Sequence, residues 1–98
     1  MNFLWLGELL IVRVVWTHHA EDRQRQWEVK KGITREEVER VVSQPEQIVP
    51  GEHGVQVAQS RAHGGLLRVP FLEIPEGRKI LTVYWMSKVD KYWRQGGE

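Results

Sequence analysis

Two adjacent histidines, His18 and His19, follow an apolar run and precede a block of alternating charge (VVWTHHAEDRQ). Imidazole is the side chain whose ordinary pKa best suits acid–base chemistry near neutrality, which makes His19 a candidate catalytic residue. The alternative is structural: His19 opens a helix and packs on Trp16 or hydrogen-bonds its neighbours, while His18 faces solvent. The sequence leaves both interpretations of His19 open.

Arg68 and Tyr92 are two further residues whose types suit chemistry. Arg68 is a planar cation in the apolar run LLRVP, and a guanidinium can bind a phosphate through two parallel hydrogen bonds. Tyr92 could donate or relay a proton. Each residue also has a structural interpretation. Arg68 could be a charge that protects a sheet edge, and Tyr92 with Trp93 could anchor the C-terminal tail to the sheet.

The sequence predicts neither a metal site nor a bound cofactor. Neighbouring residues on a helix point about 100° apart, so His18 and His19 cannot share one ion as histidines four residues apart do. His53 and His63 lie in turn-like segments without paired carboxylates at ligand spacing. The chain contains no P-loop and no GxGxxG pattern, and no serine or cysteine nucleophile has a partner base in evident reach.

Length and composition describe one globular domain over residues 1–98. The chain is 41% hydrophobic and 28% charged, which is typical of a folded domain rather than a disordered one. It has no cysteine, which excludes disulfides and is consistent with the reducing cytosol. The apolar N-terminal run is interrupted by Glu8 and Arg13 and is too short to span a bilayer. We therefore expect a cytoplasmic protein without a membrane segment.

Charge is unevenly distributed, although the net charge is only +1. The segment 61–94 carries seven basic and three acidic residues, whereas 17–46 carries six basic and seven acidic residues. A basic half is what a phosphate-binding surface requires, and a solvated sheet edge lined with Lys and Arg is the alternative. The candidate phosphate-contacting residues are Arg23, Arg61, Lys79 and Lys91.

The elements that must position these residues begin with a strand and a helix. Residues 9–16 are predicted to form a strand because of their β-branched content, after a loose lead-in at 1–8. Thr17 is the predicted N-cap of a first helix that runs through about Lys31 and ends at Gly32. Its apolar face is thin, since only Ala20 and Trp27 lie on it.

A second helix carries the clearest start and stop signals. Thr34 opens a capping box in which Thr34 accepts from the Glu37 amide while Glu37 reaches back, and Ile33 and Val38 occupy the staple positions. Its predicted buried stripe is Val38, Val41 and Val42, and Pro45 ends the helix.

An antiparallel meander of three to four strands is predicted after the helices. Its segments are 46–50, a half-exposed strand at 55–59, the run LLRVPFLEI after a Gly64-Gly65 turn, and KILTVYWM, which we expect at the centre of the sheet. The prediction is an α+β fold: an N-terminal strand, a helical hairpin covering one face of the meander, and a short C-terminal tail.

The segment VRVVWTHHAEDR resembles the opening of RelE/ParE-type toxins, in which a first strand ends in an aromatic residue and runs into a helical hairpin. The segments HAEDR…KGITREEVERVVSQPEQI, LLRV and ILTVYWMSKVDKYWR are similar to a family of small bacterial proteins, a domain of unknown function near BrnT and RelE. The resemblance covers residues 12–94. One departure is an extra helical turn, about four residues, between Arg23 and Lys31-Gly32.

The resemblance implies a RelE-like core at 9–94 and the activity of a metal-independent endoribonuclease, the toxin of a type II toxin–antitoxin pair. Such an enzyme deprotonates a ribose 2′-hydroxyl, stabilises charge on the scissile phosphate and protonates the leaving 5′-oxygen. On this resemblance Lys88 and Arg94, just past the last strand, join His19, Arg68 and Tyr92 as candidate catalytic residues.

Two functions therefore follow from the sequence. In the first, RNA contacts Arg23, Arg61, Lys79 and Lys91, and an antitoxin protein lays a helix or strand across the basic face and covers the candidate catalytic cations. In the second, the same scaffold is a non-catalytic protein- or RNA-binding module whose five tryptophans contribute to an interface. A homodimer is compatible with either function.

Overall fold

The fold is taken from a computed structural model that describes residues 12–95 together with the backbone of two short strands, β1 (Trp5–Leu6) and β2 (Leu9–Leu10). These two strands pair antiparallel with each other. The prediction of one strand over 9–16 is therefore wrong, because Leu9–Leu10 pairs with Trp5–Leu6 and only β3 (Val14–Trp16) enters the main sheet. Apart from β1, the predicted lead-in at 1–8 lies outside the described residues.

The predicted α+β fold is confirmed. After β3, the described chain continues through α1 (His18–Lys31), α2 (Arg35–Ser43), β4 (Gln47–Pro50), β5 (Gln56–Ala62), β6 (Gly65–Ile74), β7 (Gly77–Ile80), β8 (Tyr84–Met86) and α3 (Val89–Tyr92). The main sheet has the order β3-β7-β6-β5-β4, and β8 pairs with β6. The meander is antiparallel as predicted, but β3 lies parallel to β7, so the sheet is mixed.

Both long helices begin at the predicted threonine caps. The Thr17 hydroxyl accepts from the Ala20 amide at 3.1 Å, and the Thr34 hydroxyl accepts from the Glu37 amide at 3.1 Å. The Thr17 hydroxyl also donates to the Ile80 carbonyl at 2.9 Å, which ties the start of α1 to the end of β7. The same side chain therefore caps the start of α1 and attaches that start to the sheet.

The remaining helix signals are confirmed with one exception. Helix α1 ends at Gly32 in the left-handed conformation, and α2 ends at Ser43, before Pro45. The three valines of α2 predicted to be buried are in the core, together with Ile33. The second half of the capping box does not form, because the Glu37 carboxylate binds His63 instead of returning to Thr34.

The sheet has a helix-covered inner face and an opposite outer face. Leu67, Val69 and Phe71 of β6 pack in the core with α2, and the alternate residues of β6, Arg68 among them, point the other way. By strand register, the outer face includes Val15, Gln47, Val49, Val57, Gln59, Arg61, Leu66, Arg68, Pro70, Leu72, Ile74, Lys79, Tyr84 and Met86.

The prediction that β5 is half-exposed is wrong. Val57, Ala58 and Gln59 are all buried. Ala58 lies on the inner face in the helix-packed core, whereas Gln59 lies on the outer face, where the Tyr92 main chain covers it. A strand covered on both faces shows no alternation between buried and exposed positions.

A β-bulge separates β7 from β8. Phe71 pairs with Ile80 and Leu67 pairs with Trp85, so three residues of β6 face the four residues 81–84. The extra residue changes which side chains point inward, from even-numbered Ile80 to odd-numbered Val83 and Trp85. Tyr84 consequently lies on the outer face, directly opposite Arg68.

The bulge also overturns the prediction of one continuous central strand at KILTVYWM. That run is broken at Leu81–Val83, and the central strand is β6, which pairs with β5, β7 and β8. Gly65 permits the close approach of β8 to β6, because a Cβ at this position would overlap the Met86 carbonyl oxygen and the Trp85 ring.

The two threonine caps predict different losses of stability. Thr34→Ala removes one capping hydrogen bond and should lower the free energy of unfolding by about 1 kcal/mol. Thr17→Ala also removes the bond to the Ile80 carbonyl and should cost about 2 kcal/mol. Urea denaturation of both variants measures the difference, and equal losses would contradict the second role of Thr17.

Candidate phosphate-binding site

Arg68 is at the centre of the candidate site, half-buried on the outer face of β6. Its Nε donates to the Gln59 Oε1 at 2.9 Å, and its guanidinium carbon lies 4.3 Å from the centre of the Tyr92 ring. Tyr84 of β8 is opposite Arg68 in the strand register and is 41% exposed. Burial lowers the pKa of Arg68, and the two tyrosines oppose that shift. The guanidinium remains a cation at neutral pH.

Two glutamine amides connect Arg68 to the neighbouring strands. The Gln59 Nε2 donates to the Gln47 Oε1 at 2.8 Å and to the Tyr92 carbonyl at 3.1 Å. Gln47, Gln59 and Arg68 lie opposite one another on β4, β5 and β6, so the row of hydrogen bonds crosses three strands. The sheet register therefore fixes where the Arg68 side chain lies.

The same amides hold the C-terminal tail, described here over residues 89–95, on the outer face. The Gln47 side chain donates to the Arg94 carbonyl at 2.7 Å and accepts from the Arg94 amide at 3.1 Å, as a neighbouring strand would. The Arg61 guanidinium lies 4.0 Å from the centre of the Trp93 ring. Tyr92 and Trp93 thus anchor the tail, and Tyr92 also forms one wall of the site.

In the described part of the chain, two arginines of the helix layer form ion pairs, whereas three cations of the outer face do not. On the helix layer, which α1 and α2 form, Arg25 pairs with Asp22. The Arg35 guanidinium lies 3.6 Å from the Glu21 carboxylate and 3.7 Å from the Glu39 carboxylate. Within the described residues, Arg61, Arg68 and Lys79 of the outer face form no ion pair. Their charge therefore remains available to an anionic ligand.

The structure brings several of the predicted residues together around Arg68. Tyr92 covers one side of its guanidinium, Arg61 and Arg94 lie along the docked tail, and the Lys91 Nζ is 5.5 Å from the Tyr92 ring centre.

Lys88 is exposed and immediately precedes α3. Lys79 pairs with Leu72, four positions beyond Arg68, which is roughly 13 Å along the strand.

His19 and Arg23 are not brought into this group. Both lie on α1, which packs on the inner face, where the Trp27 Nε1 donates to the Val83 carbonyl at 2.9 Å. His19 is exposed, and Arg23 directs Nη1 to Gln26 at 3.3 Å. The sheet therefore lies between these two residues and Arg68.

Sequence reasoning missed three side chains of this site, namely Gln47, Gln59 and Tyr84. Glutamines in strands are ordinarily exposed, and the bulge determines the face of the sheet on which Tyr84 lies. It also missed the contact of the His63 Nε2 with both Glu37 oxygens, at 2.8 and 2.9 Å, because those residues are 26 positions apart. The single sequence signal for Gln59 was its position two residues after Val57, which places an amide on the same strand face as an apolar side chain.

Comparisons with known proteins add no family to this geometry: no protein-family model matches the chain, and no match was found among curated proteins or solved structures. Among the described residues, no group of three or more His, Cys, Asp or Glu side chains is placed to hold a metal ion. No helix within the described part of the chain is long and apolar enough to cross a membrane.

The two hydrogen bonds between the Gln47 side chain and the Arg94 main chain, here called the clamp, predict a local change in hydrogen exchange. Gln47→Ala removes the acceptor of the Arg94 amide, and losing a hydrogen bond worth about 1 kcal/mol should speed its exchange about fivefold. The Trp93 amide donates to the Val89 carbonyl within α3 and serves as the internal control. Residue-resolved exchange by NMR measures both amides. Unchanged exchange at Arg94 would contradict the clamp.

Proposed function

We propose that this protein binds RNA on its outer face and cleaves it without a metal ion, as the toxin of a bacterial toxin–antitoxin pair. The observation that carries the proposal is the state of Arg68. Its Nε and one face of its guanidinium are held by Gln59 and Tyr92, while neither Nη group hydrogen-bonds another described residue. A cation held in this way presents two parallel donors to a phosphate.

The chemistry of RNA cleavage matches the groups around Arg68. Attack of a ribose 2′-oxygen on the neighbouring phosphorus forms a 2′,3′-cyclic phosphate and breaks the bond to the 5′-oxygen, while the 2′-hydroxyl proton passes to solvent water. Negative charge builds up on the phosphate oxygens during this step, and the Arg68 guanidinium stabilises that charge. The Tyr92 ring covers the guanidinium and Tyr84 is opposite Arg68 in the strand register, so both supply hydroxyl groups that can protonate the leaving 5′-oxygen. Lys88 and Arg94 add positive charge at the tail, as the resemblance to RelE-type toxins implies.

The unpaired cations favour a long anionic ligand over a small one. Arg68 and Lys79 are about 13 Å apart along the sheet, a separation that one phosphate group cannot bridge. Arg61, Lys91 and Arg94 continue the positive charge at the tail. RNA bound along this face therefore contacts several phosphates at once. An antitoxin that covers Arg68, Lys88 and Arg94 would block that access.

A non-catalytic RNA- or protein-binding module is the second candidate, and one observation favours it. None of the four histidines hydrogen-bonds or pairs with Arg68 in the part of the chain that the structure describes, and His19 lies on the helix layer. An imidazole near the phosphate would be the usual general base. This candidate predicts salt-sensitive RNA binding with no cleavage products.

Substituting Arg68 tests the first candidate. Arg68→Lys keeps the charge but loses the planar fork, so RNA cleavage should fall about 100-fold, and growth arrest on induced expression should be relieved. Arg40→Lys, the same change on the exposed side of α2, is the matched control and should cleave as wild type does. Cleavage by Arg68→Lys at the wild-type rate, or intact RNA with the wild-type protein, would refute the proposal.

The salt dependence of RNA binding tests which face is used. Lys79→Ala removes one phosphate contact and should reduce the slope of log K against log salt concentration by about 0.7, the value for one contact to a single strand. Arg40→Ala removes the same charge from the helix layer and should leave the slope unchanged. Fluorescence anisotropy with a labelled single-stranded RNA measures both slopes. Equal effects of the two variants would mean that the outer face is not the binding surface.

A further inference from the structure

Gln59 is a fully buried polar side chain, 0% exposed, in the interior of the sheet. Its amide has three partners: Oε1 accepts from the Arg68 Nε, and Nε2 donates to the Gln47 Oε1 and to the Tyr92 carbonyl. Both hydrogens of the amide nitrogen are used, and its oxygen is used by the arginine. A buried amide with this many partners is held in a single position.

Only one orientation of the Gln59 amide is compatible with those partners. If the amide were flipped, its NH₂ group would face the Arg68 Nε–H, donor against donor. Its oxygen would at the same time face two acceptors, the Gln47 Oε1 and the Tyr92 carbonyl. The amide therefore always presents an acceptor to Arg68 and a donor to the tail.

Packing alone does not require an amide at this position. Its neighbours on β5, Val57 and Ala58, are buried and apolar. An apolar side chain of similar volume would fill the space without the cost of removing an amide from water. The amide instead determines how the Arg68 side chain is held, because a hydrogen bond to Nε fixes the guanidinium plane and directs both Nη groups away from Gln59.

We propose that Gln59 is a positioning residue of the outer-face site: its amide sets the plane of the Arg68 guanidinium and, through the Tyr92 carbonyl, places the Tyr92 ring against it. This inference rests on the proposed function, in which Arg68 binds the scissile phosphate. Two groups from different parts of the chain are thereby fixed relative to each other before RNA binds, which is the geometry that preorganised charge stabilisation requires.

Gln59→Met tests the role, because methionine has a similar length and lacks amide donors and acceptors. Exchange of the Arg68 Nε–H, followed by NMR on the RNA-free protein, should become at least about tenfold faster as the hydrogen bond is lost. The kcat for cleavage of a single-stranded RNA of mixed sequence should fall about tenfold to a hundredfold, with a smaller change in KM. Gln56→Met, at an exposed position of the same strand, is the matched control.

A second variant separates positioning from folding. Gln59→Glu keeps an oxygen acceptor for Arg68 and loses the donor to Tyr92, so it should retain slow Arg68 Nε–H exchange while the tail is released. If Gln59→Met does not unfold cooperatively, Gln59→Leu provides the same comparison. Slow Arg68 exchange in the apolar variant, or fast exchange with wild-type kcat while Arg68→Lys is inactive, would overturn the role of Gln59. Wild-type cleavage by Arg68→Lys would instead overturn the proposed function.

Discussion

The composition of the outer face depends on one extra residue between β7 and β8. Because three residues of β6 face four residues of the returning chain, the inward side chains change from Ile80 to Val83 and Trp85. Without that residue, Tyr84 would point into the helix-covered core and Trp85 would lie beside Arg68. The bulge therefore places Tyr84 opposite Arg68 on the outer face and keeps the Trp85 indole among the packed residues of the inner face.

The two faces of the sheet use polar residues differently. On the helix layer, Arg25 and Arg35 pair with carboxylates, and Lys30 and Lys31 stack on Trp27 and Trp85. On the outer face, arginines stack on the tail aromatics and bond neutral amides, as Arg68 does with Tyr92 and Gln59. Neutral partners hold a guanidinium in place without cancelling its charge, so Arg68 keeps its charge at a fixed position.

The sequence identified the components of the site more successfully than their arrangement. Arg68 and Tyr92 stand out by residue type, and they meet because the tail folds back over β6, a contact between residues 24 positions apart. His19 stands out equally by type, but α1 lies on the opposite side of the sheet. Gln59 was not singled out, because its importance comes from burial and from three partners on other elements.

The sequence by itself determined the α+β class, the threonine caps of both long helices, the valine stripe of α2 and the stop before Pro45. The caps, the stripe and the stop depend on residues within one or two turns of each other, so local hydrogen bonding and hydrophobic periodicity specify them. The α+β class follows from the order of the elements along the chain. The tertiary structure decided where KILTVYWM breaks, that β6 is central, and which side chains share the outer face. A one-residue change of register reverses the direction of every following side chain, and only pairing with β6 sets that register.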